Sequence, residues 1–168
     1  LFIMKTLKTL KKLIKFYYYF LLTGFIIFII LPILFTNGMV KSFNLVEGYD
    51  FNRLELFEFS LIILVLVCIY YLFVRAIYLL KSTLKDLSEG NYFSELVITN
   101  FKTIGKLILA CGISFSLYRF ILRLLLLSEI KPGIDNGLIV SIILGLFFMF
   151  LSEVFAKARK TKEENDLT

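Results

Sequence analysis

The chain has 168 residues, of which 59% are hydrophobic and 19% charged, with a formal net charge of +6 and no histidine. A soluble domain holds about 45–50% apolar and about 25% charged residues, and small domains keep too much surface wet to hide so many large apolar side chains. The composition therefore excludes a soluble globular fold and requires lipid to cover part of the chain. Without histidine, the commonest metal ligand and the commonest general base are both missing.

The first apolar run, 16–35, is uncharged. At 1.5 Å per residue its length matches a hydrocarbon core of about 30 Å. Lys5, Lys8, Lys11, Lys12 and Lys15 precede it. The run is longer than a signal-peptide core and no small-residue cleavage site follows it, so a retained first helix is expected. Pro32 falls near its end, where a kink or an early stop costs little. The block Phe16-Tyr17-Tyr18-Tyr19-Phe20 reads as an interfacial aromatic belt. A polar loop from Thr36 to about Leu56 follows, with turn signals at Asn37-Gly38 and Gly48-Tyr49-Asp50.

A second span is expected over 57–79, with Arg75 at its inner edge. Its helical pattern runs on through Leu80, Leu84 and Leu87 to a stop at Gly90. Ser94 is placed to cap a helix beginning near Glu95. The apolar positions Leu96, Val97, Phe101, Ile104 and Ile108 then lead without a proline into a third span, 103–127. A turn at Lys131-Pro132-Gly133 precedes the fourth span, 137–155, and a charged tail, 156–168. The fold class is all-α: an integral membrane four-helix bundle with cytoplasmic helix extensions, forming a single domain.

Basic residues set the orientation. Five lysines precede the first span. Arg75, Lys81, Lys85, Lys102 and Lys106 flank the middle connection, and Lys157, Arg159, Lys160 and Lys162 lie in the tail. The opposite side holds only Lys41, Arg53 and Lys131. Both termini and the middle connection are therefore expected in the cytoplasm, in a multi-pass membrane protein. Because the bases cluster beside apolar runs, the partner they imply is the lipid bilayer, with no direct contact to nucleic acid.

Arg119 and Arg123 interrupt the third span and share a helix face. Arg119 lies about 24 Å along the helix from Thr103, in the outer half of the membrane. An arginine at the centre of a bilayer costs about 2.5–3.5 kcal/mol on insertion scales and less near the edge. Either the pair forms an intramembrane polar site with Glu58, Glu129 or Asp135, or the side chains snorkel to outer headgroups. The second reading suits Arg123 better. Gly137, Ser141 and Gly145 form a small-residue stripe on the fourth span, facing Gly105 and Gly112 of the third. Such stripes let helices approach closely, within one chain or in a homo-oligomer. Cys68 and Cys111 fall inside apolar runs and are expected to be buried, inert thiols. No phosphate-binding loop, zinc spacing, HExxH or nucleophile elbow occurs. No catalytic, cofactor or metal residue is assigned, and an enzyme is not expected.

Three local patterns occur in order: Glu89-Gly90-Asn91-Tyr92-Phe93-Ser94, then Asn100-Phe101-Lys102-Thr103-Ile104-Gly105, then Phe155-Ala156-Lys157-Ala158 leading to Glu163-Glu164-Asn165-Asp166-Leu167-Thr168. Together they resemble the bacterial four-span membrane family catalogued as domain of unknown function 2975. The resemblance implies a plasma-membrane protein without an established activity, often accompanied by a small helix-turn-helix regulator encoded alongside. The functional expectation is a regulatory or sensing protein that acts through cytoplasmic contacts around Leu84, Phe101 and the tail acids Glu163, Glu164 and Asp166. The alternative is a small oligomeric transporter or permeation helper built on Arg119. The topology is checked by fusions in bacterial membranes: a fluorescent protein after Thr168 should fluoresce, and alkaline phosphatase should be active when inserted at Pro132 and inactive at Asn91. The reverse pattern would invert the orientation.

Overall fold

A computed structural model of the chain describes residues 2–36, 56–127 and 136–166. Four α-helices account for nearly all of them: α1 (Phe2–Thr36), α2 (Leu56–Ser88), α3 (Glu95–Leu127) and α4 (Asn136–Asp166). No strand occurs among the described residues. The expected loop at 37–55 and the turn at Lys131-Pro132-Gly133 lie outside them.

At 1.5 Å per residue, helices of 31 to 35 residues are about 46–52 Å long, well beyond a hydrocarbon core of about 30 Å. Among the described residues, three helices are long and apolar enough to cross a membrane: α2, α3 and α4. Only 28%, 17% and 11% of their most apolar stretches are buried inside the protein. In water such exposure would be prohibitive, so these faces are solvated by lipid.

Two helices run further than the sequence suggests. α1 starts at Phe2 rather than at the first span, because the lysines alternate with Leu7, Leu10, Leu13 and Ile14 in a strong helix-forming run. α4 continues through the charged segment to Asp166 instead of ending in an irregular tail. Alanine, lysine, arginine and glutamate dominate that segment and favour helix.

The connection between α2 and α3 is tight. Gly90 takes a left-handed conformation, φ 89°. The Asn91 amide donates to the Asp86 carbonyl and the Gly90 amide to that of Leu87, at 3.1 and 3.2 Å. This pair of bonds is a Schellman stop, and glycine supplies its left-handed residue without a Cβ penalty. Four residues later the Ser94 hydroxyl accepts from the Val97 amide at 3.2 Å and caps α3.

Only consecutive helices pack extensively: α1 on α2, α2 on α3 and α3 on α4. All three pairs are antiparallel: Lys11 meets Ser88 while Leu21 meets Tyr70, Phe59 clusters with Leu126 while Leu87 clusters with Val97, and Gly112 meets Ser141 while Ile98 meets Ser152. Two apolar clusters mark the ends. Phe59, Ile62 and Ile63 of α2 meet Leu122 and Leu126 of α3 at one end. At the Gly90 end, Val97, Phe101 and Ile104 are buried against Leu79, Leu80 and Leu87 of α2 and Phe148, Leu151 and Phe155 of α4. This second cluster straddles the expected bilayer edge, with Val97, Phe101, Leu80 and Leu87 beyond it, so exclusion of water contributes to its burial. Replacing Phe101 with alanine should cost about 3–5 kcal/mol of unfolding free energy in detergent, whereas Leu96→Ala, at a position 49% exposed, should stay within about 0.5 kcal/mol.

Candidate functional site

The antiparallel packing gathers the start of α1, the α2–α3 turn and the end of α4 at one end of the molecule. Lysines of α1, Lys81 and Lys85, Lys102 and Lys106, and the cations of the last turns of α4 therefore collect there. The apolar cluster holds three of the helices together as a head. Leu84 and Phe101, expected to offer a docking face, are each 4% exposed. Their apolar face is consumed inside the chain, which corrects that expectation.

What remains outward is polar or mixed. Arg159 of α4 donates through Nε to Glu163 at 2.7 Å and approaches Glu95, in the first turn of α3, with Nη1 at 3.8 Å. The hydrogen bond that Arg159 donates to Glu163 and the charge of that carboxylate, with a smaller share from Glu95, hold the guanidinium above its ordinary pKa. Lys160 pairs with Glu164 at 3.8 Å. These are exposed pairs that water screens, so they contribute little to stability. Glu163 and Glu164 can exchange their intrachain cations for those of another molecule at small cost. Next to them Tyr92, Phe93 and Leu96 stand exposed, with Phe93 also edging Phe155 at 6.1 Å. The backbone of Asp166 ends α4 about 10 Å beyond Arg159.

The small-residue stripes meet between α3 and α4. A Cβ on Gly105 would lie 2.6 Å from the Gly145 carbonyl oxygen and 2.6 Å from Met149. A Cβ on Gly145 would meet Leu109 and the Gly105 carbonyl. One on Gly112 would strike the Cβ of Ser141. Gly137 is exposed and reaches only the rim of a cavity of about 290 Å³ shared by α2, α3 and α4. Ser152 continues the α4 side of the seam. It is 4% exposed and donates to the Ile98 carbonyl at 2.8 Å. Sequence reasoning passed over it, although its spacing from Ser141 and Gly145 puts it on the same helix face.

At the opposite end Arg119 and Arg123 are both half-buried. Neither Arg119 nor Glu58 lacks a partner. Their neighbours Tyr118 and Leu122 face the cluster at Phe59. Glu129 and Asp135, the other expected partners, lie outside the described residues. Cys111 is buried, but Cys68 is exposed on the apolar surface of α2, contrary to expectation. No cluster of three metal-ligating side chains occurs among the described residues.

Long apolar helices, lipid-facing surfaces and a polar head at one end define a helical membrane protein. A family model described as "Protein of unknown function (DUF2975)" matches residues 3–168, and the chain belongs to that family. Comparison with curated proteins gave no match, and comparison with solved structures gave none.

The seam makes a sharp prediction. Glycine-to-alanine in a helix gains about 1 kcal/mol of propensity, while overpacking costs about 1–3 kcal/mol. At Gly105 the obstruction is backbone, which cannot swing aside, so Gly105→Ala should destabilise. At Gly24 the obstruction is the Tyr70 hydroxyl, 2.8 Å away at the end of a side chain, so Gly24→Ala should be near neutral. Denaturant titration of the two variants in micelles distinguishes them, and equal effects would mean that the α3–α4 seam is no tighter than the rest.

Proposed function

We propose that the protein is a regulatory or sensing component of the plasma membrane, with four helices across the bilayer and both termini and the Gly90 turn in the cytoplasm. The gathering of basic residues at one end supports the orientation, and the uncharged run 16–35 supports α1 as a further span. The observation that carries the reading is the patch where α3 begins and α4 ends. There Glu95 and Glu163 share Arg159, Glu164 pairs with Lys160, and Tyr92 and Leu96 stand exposed around the start of α3.

Exposed carboxylates held only by screened ion pairs, near exposed apolar side chains, suit a basic, helical soluble partner that can replace Arg159 and Lys160. The helix-turn-helix regulator implied by the family resemblance is of that kind, since its nucleic-acid surface is positively charged. The membrane protein itself touches no nucleic acid in this reading. Its role is to hold or release the regulator. Charges at the rim of such a contact mainly set association rate and salt dependence.

The test uses the full-length chain in membranes, with the adjacent regulator co-expressed and captured. Wild type should retain the regulator, and Glu163→Lys with Glu164→Lys should reduce retention about tenfold, with a weaker effect at high salt. Retention unchanged by both substitutions would remove these carboxylates from the mechanism.

A further inference from the structure

Between α1 and α2, on the side of the molecule away from α4, lies an open groove of about 550 Å³. That is within the roughly 300–1,000 Å³ of small-ligand sites. Tyr18, Leu22 and Phe25 form one wall, spaced four and three along α1 and so about 10 Å long. Tyr71, Val74, Arg75 and Tyr78 of α2 form the other. Because the helices are antiparallel, Tyr18 lies by Tyr78, with rings 5.8 Å apart, and Phe25 stacks on Tyr70 deeper in the span. The groove thus has a polar mouth of tyrosyl hydroxyls and a guanidinium, and an apolar interior at Leu22 and Phe25.

Charge decides what fits. Arg75 is exposed, and among the described residues no carboxylate lines the groove. A second cation stands at the mouth: the Lys81 ammonium lies 4.4 Å from the Tyr18 ring centroid and 5.0 Å from that of Tyr19. Quaternary ammonium groups seek the faces of such rings, but here Lys81 already covers them. An anionic group is the complement, and arginine's planar fork binds phosphate oxygens in pairs.

We propose that this groove binds one anionic phospholipid, with the phosphate held by Arg75 and the hydroxyls of Tyr18 and Tyr78 and the first part of an acyl chain laid along Leu22 and Phe25. The site sits at the edge of the span, where a lipid places the junction between headgroup and tail. The orientation proposed above assigns the lipid to the cytoplasmic leaflet, whose surface is negatively charged. The lipid binding itself does not depend on that orientation.

The experiment is native mass spectrometry of the full-length protein released from detergent, with phosphatidylglycerol or phosphatidylcholine of matched chains. Wild type should retain phosphatidylglycerol about tenfold more than phosphatidylcholine. Arg75→Gln should abolish the preference, and Leu22→Trp, which fills the apolar interior, should weaken retention of phosphatidylglycerol. Lys12→Gln makes the same charge change on an exposed part of α1 away from the groove and should behave as wild type. Equal retention of the two lipids, or Arg75→Gln indistinguishable from Lys12→Gln, would overturn the proposal. Displacement of the lipid by free glycerol phosphate would show a headgroup site without the acyl contact and would overturn it equally. A wrong orientation would appear in the fusion assay and leave these outcomes unchanged.

Discussion

The contact on which the molecule depends is the meeting of two backbones at Gly105 and Gly145. In hydrocarbon, apolar side chains gain nothing by leaving lipid for one another, so helices associate through close packing and interhelical hydrogen bonds. Removing Cβ from both partners brings α3 and α4 near enough for that packing. It also fixes their register. With Gly145 on Gly105, Ser141 falls on Gly112, Ser152 on Ile98, Phe148 and Phe155 on Phe101, and Arg159 near Glu95. A shift of one turn along either helix would separate all of these at once.

The same pair of helices works in two solvents. Around Gly105, Gly112 and Gly145 the seam is narrow, and further along it one buried hydroxyl finds a carbonyl across it. Toward the Gly90 end the side chains become large and exclusion of water adds to the driving force. Phe101, Val97 and Ile104 then bury themselves against both neighbours. The α1–α2 pair uses a third chemistry. There an aromatic layer packs on itself, and the Tyr70 hydroxyl reaches the Leu21 carbonyl at 2.8 Å. A helical carbonyl has a second lone pair to offer, so this bond adds to the helix without breaking it.

Much of this architecture was legible in the residues. Charge-free runs located the helices that cross the lipid, Gly90 and Ser94 located the turn, and the glycine spacing located the α3–α4 seam. Those signals are local, resting on sterics or on the cost of a charge in hydrocarbon. Helix ends outside the membrane were harder, because residues 2–15 and 156–166 stay helical through propensity without an apolar run to announce it. The burial of Leu84 and Phe101 was misread for a different reason. An apolar stripe looks the same whether it awaits a partner or already has one in the next helix. The contact of Arg159 with Glu95 joins residues far apart in the chain, and no periodicity within either segment points to it.

Strictly successive packing also has a meaning for how the protein is made. α2 rests on α1, α3 on α2 and α4 on α3, so each helix after the first finds a neighbour already made as it leaves the ribosome. Each successive pair can form as soon as its second helix is made, and the α3 face at Phe101 is covered when α4 follows. Contacts between neighbours in sequence favour rapid formation, and stability in such arrays is close to a sum of nearest-neighbour terms. Biosynthesis and structure share one order, and the last helix made is the one that completes the head.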